Sequence, residues 1–328
     1  MILYVTEPGS SIKKKLGRYI IEKENQILSE IPMENLDSIV MYSGTNITTP
    51  CINSFLEKGI DVIYANGNGK FKGRLINSDF YNIERQFKQF EFYNNNAFSL
   101  QLAKKIIVAK IHNSKVVLQR VNKNAIDKIA FLKNLKNDAM CSENFDYLRG
   151  IEGIAAKEYF LGISEILPYD FNFNKRINFK ANDKFNVLLN FGYSLLRNDI
   201  YNMVISKGLN PYIGFFHRIR NGHDALVSDL MEEFRAYVID NLILKIVKNY
   251  SFSDDDFIFD TSKNLFISKT LKKFIINEYE KIMEKQQDYS SYSDNKISLR
   301  FAIFKQIENF IKSLSFDDTE LYLPFKIR

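Results

Sequence analysis

Five apolar residues, Leu226, Leu230, Phe234, Val238 and Leu242, recur at every fourth position. That repeat demands a helix with one face buried. The same stretch holds three acids, Asp229, Glu232 and Glu233, so a fold of this chain must accommodate carboxylates beside apolar residues. Asp224 stands where a helix N-cap belongs, and Gly222 supplies the turn before it. Asp229 and Glu232 are three apart and therefore share one side of the helix. His217 and His223, two of the chain's three histidines, lie just upstream. A histidine with two carboxylates on one helical face can hold a divalent cation, and such a donor set suits manganese or magnesium. A plainer reading stands beside it. Acids in the first turns of a helix are favoured by its dipole, and a Glu-Glu pair is commonly a solvated face. Spacing alone leaves both readings open.

Length and composition narrow the class. A chain of 328 residues allows one large domain or two ordinary ones. Cys51 and Cys141 are the only cysteines, which excludes a disulfide framework or a cysteine-rich zinc site and fits a reducing compartment. The first residues, Met-Ile-Leu-Tyr-Val-Thr-Glu-Pro, have neither a basic region nor a long apolar run, so no signal peptide is expected. No stretch is apolar for long enough to span a membrane. A soluble, cytoplasmic protein is the expectation.

Residues 1–76 read as a small β-rich domain. Strands are expected at Ile2–Val5, Ile27–Leu28, Ile39–Met41, Val62–Tyr64 and Phe71–Ile76. Asn66-Gly67-Asn68-Gly69 is a hairpin turn, because its residues tolerate positive φ. One helix interrupts the strands, with Thr49 as cap, Pro50 in the first position and Gly59 at its end. Gly-Asn-Gly-Lys lacks the spacing of a phosphate loop, and no helix follows it. After about residue 77 glycine becomes sparse and helical periodicity takes over. Residues 77–95 read as a polar connector running into helix, and residues 96–328 as a larger helical domain. The fold class is thus α+β, a small β-rich N-terminal domain followed by a larger all-α C-terminal domain. Within the latter, residues 183–196, 238–250, 264–286 and 296–314 read as helices, and the tail as extended.

Two segments of the helical part stand out. Residues 98–136 contain nine Lys and Arg against one acid, Asp127. Lys104, Lys105, Lys110, Lys115 and Arg120 fall there, among apolar residues in helical rhythm. A basic stretch of this density can neutralise several phosphates, and it can equally be a solvated lysine face. In the helix over residues 144–165, Glu152 shares a face with Leu148, Ala155, Ala156 and Tyr159. A carboxylate there is costly to bury unless a cation or a donor meets it, and Arg149, three residues away, is the local candidate. Gly150 and Gly153 would let another backbone approach closely.

Together these pieces resemble one family. The motifs are Gly-Ile-Glu-Gly-Ile-Ala-Ala-Lys-Glu-Tyr-Phe at 150–160 and Asp-Lys-Phe-Asn-Val-Leu-Leu-Asn-Phe-Gly-Tyr-Ser-Leu-Leu at 183–196. Gly-Leu-Asn-Pro-Tyr-Ile-Gly-Phe-Phe-His at 208–217 and Ser-Asp-Leu-Met-Glu-Glu-Phe-Arg at 228–235 follow, and Tyr-Leu-Pro-Phe at 322–325 closes the set. In this order and spacing they resemble the CRISPR-associated adaptation integrase, the first Cas protein (Cas-one family). The chain departs from the family's pattern at His223, at Ala236 and in lacking prolines just before Asp183. None of these touches the presumed ligands.

The resemblance implies a metal-dependent DNA integrase and endonuclease of CRISPR adaptation, joining the 3′-hydroxyl ends of short foreign DNA into the repeat by transesterification. It implies Glu152, His217 and Glu232 as ligands of Mg2+ or Mn2+, with Asp229 a supporting catalytic acid. It also implies a homodimer that assembles with a dimer of a small second Cas protein (Cas-two) on double-stranded and branched DNA. The basic run would then track the DNA backbone through Lys104, Lys105, Lys110, Lys115 and Arg120. The rival reading is a non-catalytic nucleic-acid-binding scaffold with the same fold.

Overall fold

Side chains that alternate in burial build the first part of the protein, and a long buried helix organises the second. In the computed structural model described here, the placed residues are 1–67, 69, 71–75, 77, 82–178, 181–259, 264–289 and 291–328. The chain divides into two units, Met1–Tyr81 and Asn82–Arg328.

The first unit holds strands β1 (Ile2–Val5), β2 (Ser11–Lys15), β3 (Arg18–Lys23), β4 (Gln26–Pro32), β5 (Ser38–Met41) and β6 (Asn46–Ile47). Helix α1 (Thr49–Lys58) and strands β7 (Asp61–Ala65) and β8 (Phe71–Leu75) complete it. Two four-stranded sheets form, in the orders β1-β5-β7-β8 and β4-β3-β2-β6. Val5, Ile39, Met41 and Val62 from one sheet share a core with Ile12, Tyr19 and Ile21 from the other and with Phe55 of α1. β7 and β8 pair antiparallel around the Asn66–Gly69 turn, as the turn residues require. β2 and β3 are not apparent in the sequence because Lys13, Lys14 and Lys15 leave only Ile12 of β2 buried, so alternation is lost. The cap of α1 is Thr48 rather than Thr49, and its hydroxyl bonds the carbonyl of Ile12 at 3.2 Å instead of the helix. Gly59 closes the helix in the left-handed region at φ 66°, where a side chain would be strained.

The second unit contains α2 (Ile83–Asn94), α3 (Asn96–Val121), α4 (Ile126–Met140), α5 (Phe145–Ser164), α6 (Lys184–Ser206), α7 (Ala225–Phe234) and α8 (Asn241–Asn249). α9 (Lys269–Glu284) and α10 (Leu299–Ser315) follow. α3 runs through the middle and packs on α4, α5 and α7. The unit is mostly helical, but two short ladders interrupt it. β9 (Phe257–Phe259) pairs with β10 (Leu265–Ile267), and β11 (Gln286–Gln287) with β12 (Ile297–Ser298). The single helix expected over 264–286 therefore begins only at Lys269, where the Ser268 hydroxyl accepts from the Leu271 amide and caps it. No helix among the described residues is long and apolar enough to cross a membrane.

The every-fourth apolar repeat has a physical explanation. All five residues are buried. In a pure α-helix each step of four drifts about 40° from one face. Between α7 and α8, Arg235–Asp240 form a π turn, whose wider winding takes that drift back. The chain's extended end then straps across the outside of α7. Phe325 N donates to Glu233 at 2.6 Å, Asn113 of α3 bonds the Phe325 carbonyl at 2.8 Å, and the Phe325 ring lies 4.7 Å from that of Phe234.

Candidate active site

The site begins with Asp229, which is completely buried on α7. Its carboxylate accepts the amides of Phe215, Phe216 and His217 at 2.5, 3.0 and 2.9 Å. Three backbone donors on one carboxylate fix the preceding turn against the helix. That approach requires Gly214, because a Cβ there would meet the Ala225 carbonyl carbon at 2.6 Å and the Asp229 carboxylate at 2.7 Å. Asp229 also lies 2.7 Å from His217 Nδ1. With Nδ1–H donating to the carboxylate, the Nε2 lone pair is left pointing away from it. Nε2 stands 3.7 Å from Glu232 Oε1. The three-residue spacing thus brings both acids to one imidazole, in two different roles. Burial alone would lower the His217 pKa, but its hydrogen bond to Asp229 and the charges of Asp229 and Glu232 outweigh burial and raise it.

Glu232 is the centre of charge. Lys110 Nζ, from α3, lies 2.8 Å from Glu232 Oε2 and also pairs with Glu152 Oε1 of α5. Arg235 Nε lies 3.3 Å from the same Glu232 oxygen. Burial pushes Glu232 up, but Arg235, Lys110 and His217 more than offset it and bring the carboxyl down to about 2. Burial likewise pulls Lys110 down, and Glu232 and Glu152 reverse the direction. The cation that meets Glu152 is therefore Lys110, 42 residues away in sequence, and not Arg149. Arg149 pairs with Asp146 at 3.0 Å and reaches the Phe216 carbonyl at 3.3 Å. Gly150 and Gly153 admit no neighbouring backbone, since a Cβ on either would meet nothing within 4 Å. Asp224 takes the N-cap position of α7 without a side-chain cap, because its carboxylate pairs with Arg197 at 2.8 Å.

These groups line a cavity of about 370 Å³, together with Tyr159, Arg176, Tyr193, Arg220, His223 and Asp240. The π turn shapes one wall by presenting Arg235, Ala236 and Asp240 to the cavity beside Glu232. Burial drives the Asp240 carboxyl up to about 6 against the hydrogen bonds of Tyr193 and Tyr159. Arg235 and Asp240 carry no local signal in sequence beyond their spacing from Glu232. Their roles depend on the π turn, which an α-helical reading does not anticipate.

The five basic residues of α3 do not share a face. At about 100° per residue, Lys104 and Lys115 fall within roughly 20° of each other, while Lys110 lies on the opposite flank. Lys105 bonds the Thr319 carbonyl at 2.7 Å and pairs with Glu320, and Arg120 donates to the Arg328 carbonyl. Charge density along a helix is not charge density on one side of it.

Among the described residues, no three His, Cys, Asp or Glu side chains are already gathered around one point as a metal site. The donor set nevertheless fits a hard divalent cation. His217 offers an oriented Nε2, and Glu232 Oε2 is buried beside Lys110 and Arg235 without hydrogen-bond geometry to either. Oxygen atoms of that kind with one imidazole suit magnesium or manganese.

Comparison with known proteins agrees with the motif order. The family described as CRISPR associated protein Cas1 matches residues 3–281. A CRISPR-associated endonuclease Cas1 of Mycobacterium tuberculosis is 29% identical over 321 residues, spanning 94% of this chain and 93% of the relative. Among solved structures, a chain of a Cas6-RT-Cas1–Cas2 complex superposes with a TM-score of 0.87 at 22% identity, covering 100% of this chain and 36% of that one. A casposase bound to integration product superposes with a TM-score of 0.82 at 23% identity, covering 97% of this chain and 92% of that one.

Proposed function

The chain belongs to the CRISPR associated protein Cas1 family, and from that premise we propose that it is a metal-dependent DNA integrase and endonuclease. The reaction is transesterification. A DNA 3′-hydroxyl attacks a phosphodiester of the repeat, the new P–O bond forms, and the repeat strand's own 3′-oxygen leaves. The supporting observation is the His217 imidazole, locked through Nδ1 by Asp229 and turned through Nε2 toward Glu232. The printed names of the relatives, an endonuclease Cas1 and a casposase bound to integration product, agree with DNA cutting and joining.

Glu152, His217 and Glu232 are the residues that would hold Mg2+ or Mn2+. When bound, such an ion supplies Lewis-acid polarisation of a phosphoryl oxygen and lowers the pKa of the attacking hydroxyl. Asp229 keeps His217 in the ligating tautomer. Lys110 and Arg235 neutralise carboxylate charge and would face the phosphoryl oxygens on which negative charge develops. Lys104 and Lys115, which lie close together around α3, are the members of the basic run best placed to share a backbone contact, with Lys105 and Arg120 flanking them. The functional unit we propose is a homodimer working with a dimer of the small second Cas protein. The structural likeness to a chain titled as part of a Cas1–Cas2 complex supports that partner.

The test is strand transfer of a short duplex with free 3′-hydroxyls into a repeat-bearing supercoiled plasmid, with manganese, magnesium or chelator. Covalent joining that needs the metal and is lost in Glu152→Ala and His217→Ala is the expected result. Joining by either variant at the wild-type level would refute the ligand assignment. Tight DNA binding without joining under any condition would favour the scaffold reading.

A further inference from the structure

Asn186 is completely buried at the start of α6, and its side chain uses its full hydrogen-bonding capacity. Its Nδ2 donates to the Lys175 carbonyl at 2.8 Å and to Asp183 at 2.7 Å. Its Oδ1 accepts from the Ile177 amide at 2.9 Å and from Arg176 Nη1 at 2.8 Å. One turn later, Asn190 Oδ1 accepts from Arg176 Nη2 at 2.6 Å, and its Nδ2 donates to the Ile177 carbonyl at 3.2 Å. Two asparagines on one face of α6 thus sew down the loop before it. The side chain which that loop delivers to the cavity is Arg176.

Every partner of Arg176 is neutral. Nη1 also donates to the Ile177 carbonyl at 2.5 Å, and the guanidinium lies 5.0 Å from the centre of the Tyr193 ring. Among the described residues, no carboxylate stands within ion-pair distance of it. Three of its five N–H groups have acceptors there, and two do not. Arg235 offers the contrast on the same ring, with its centre 5.1 Å away, because its charge is matched by Glu232. Burial depresses the Arg176 pKa, with only partial relief from Tyr193 and Asp240. The fold therefore holds a rigid, undercompensated cation against a cavity wall. Such an arrangement is costly in isolation and is resolved by an anion with acceptor oxygens.

We propose that Arg176 binds a backbone phosphate of the DNA strand that enters this cavity, with Asn186 and Asn190 fixing its guanidinium for two-point contact. The proposal rests on the DNA-joining function above and adds a substrate contact that lies outside the presumed ligand set. Its geometry explains why Asp183 and Asn186 stand three apart. Asp183 caps α6 by accepting the Asn186 amide at 2.8 Å, and the cap and the loop anchor are thereby one unit. Lysine in place of Arg176 would keep the charge and lose the two-point contact.

The experiment pairs Arg176→Gln and Arg176→Lys with DNA bearing a single neutral methylphosphonate, moved one position at a time around the joined site. With all-phosphate DNA, strand transfer should fall roughly a hundredfold in Arg176→Gln and less in Arg176→Lys. At one position the methylphosphonate should slow the wild type by a similar factor and slow Arg176→Gln no further. Absence of any such position, or a wild-type rate in Arg176→Gln, overturns the assignment. A binding series against salt, with all-phosphate DNA, is run alongside. The slope of log K against log salt should be shallower by about one in Arg176→Gln, and an unchanged slope again counts against the contact. If the wild type joins no DNA, the functional reading has failed separately, and the salt series still decides the Arg176 contact.

Discussion

Glu232 and Glu233 are neighbours in sequence, equal in chemistry and both buried, yet they occupy opposite electrostatic worlds. Glu232 faces Lys110, Arg235 and His217, which hold its carboxyl near 2 despite burial. Glu233 points to the other side of α7. There burial dominates, and the carboxyl is pushed up to about 8 even though Tyr322 and the Phe325 amide donate to it. Burial does not set a carboxylate's state. The charge of what it is buried against does. The comparison also separates a reactive wall from a structural one. Glu232 is a charged donor on the cavity, and Glu233 is a clasp for the chain's extended end.

The largest break in this comparison should come from Glu232→Gln set beside Glu233→Gln. Strand transfer is expected to fall by at least roughly a thousandfold in the first, since it removes a presumed ligand and the partner of two buried cations. The second should leave joining little changed, and a comparable loss in both would dissolve the distinction.

The next effect is on stability. Glu233 titrates at about 8 in the folded protein against an ordinary 4.5, so as pH rises the unfolded chain gives up its proton first. Its contribution is complete below about 4.5 and declines as pH rises toward 8. Denaturant melts of wild type between pH 5 and 8 should show stability falling by a few kcal/mol, and Glu233→Gln should flatten that slope. An identical slope in the variant would show that the pH dependence arises elsewhere.

Asp229→Asn should reduce joining by roughly 10- to 100-fold by loosening the tautomer of His217. Asp229 also raises the His217 pKa, and a protonated imidazole has no lone pair to offer. The acid limb of the pH–rate profile should therefore shift to lower pH in the variant, and a shift to higher pH would contradict the assigned hydrogen bond. The smallest expected change is Tyr322→Phe, about 1 kcal/mol of stability, from the hydrogen bond to Glu233 and the acceptor it presents to Gln306. It removes a donor to the carboxylate, so the alkaline end of the stability slope should move up, with joining unaffected.

What the sequence reveals follows the range of the interactions. The shared face of Asp229 and Glu232, the turn at Asn66–Gly69 and the end of α1 at Gly59 depend on residues a few positions apart, and periodicity or φ preference exposes them. Lys110 belongs with Glu152 and Glu232 only because α3 packs between α5 and α7, and in sequence it is one lysine among many. The burial of Glu233 depends on Tyr322, 89 residues on, so the Glu-Glu pair reads as solvated until the tail is in place. The basic run misleads for the same reason, since a helix sends neighbouring lysines in different directions.

The π turn at Arg235–Asp240 makes this stretch sensitive to length as well as to composition. Deleting one residue there would restore ordinary α winding and swing everything beyond it by about 100°. Leu242 and Ile243 would leave their packing, and Asp240 would leave the cavity, although every remaining side chain kept its chemistry. Substitutions here change one contact at a time, whereas a loss of one residue re-indexes the whole wall. The spacing between Glu232 and Asp240 is in that sense a ruler, and a chain that changed its count would have to rebuild both the pocket and the core behind it.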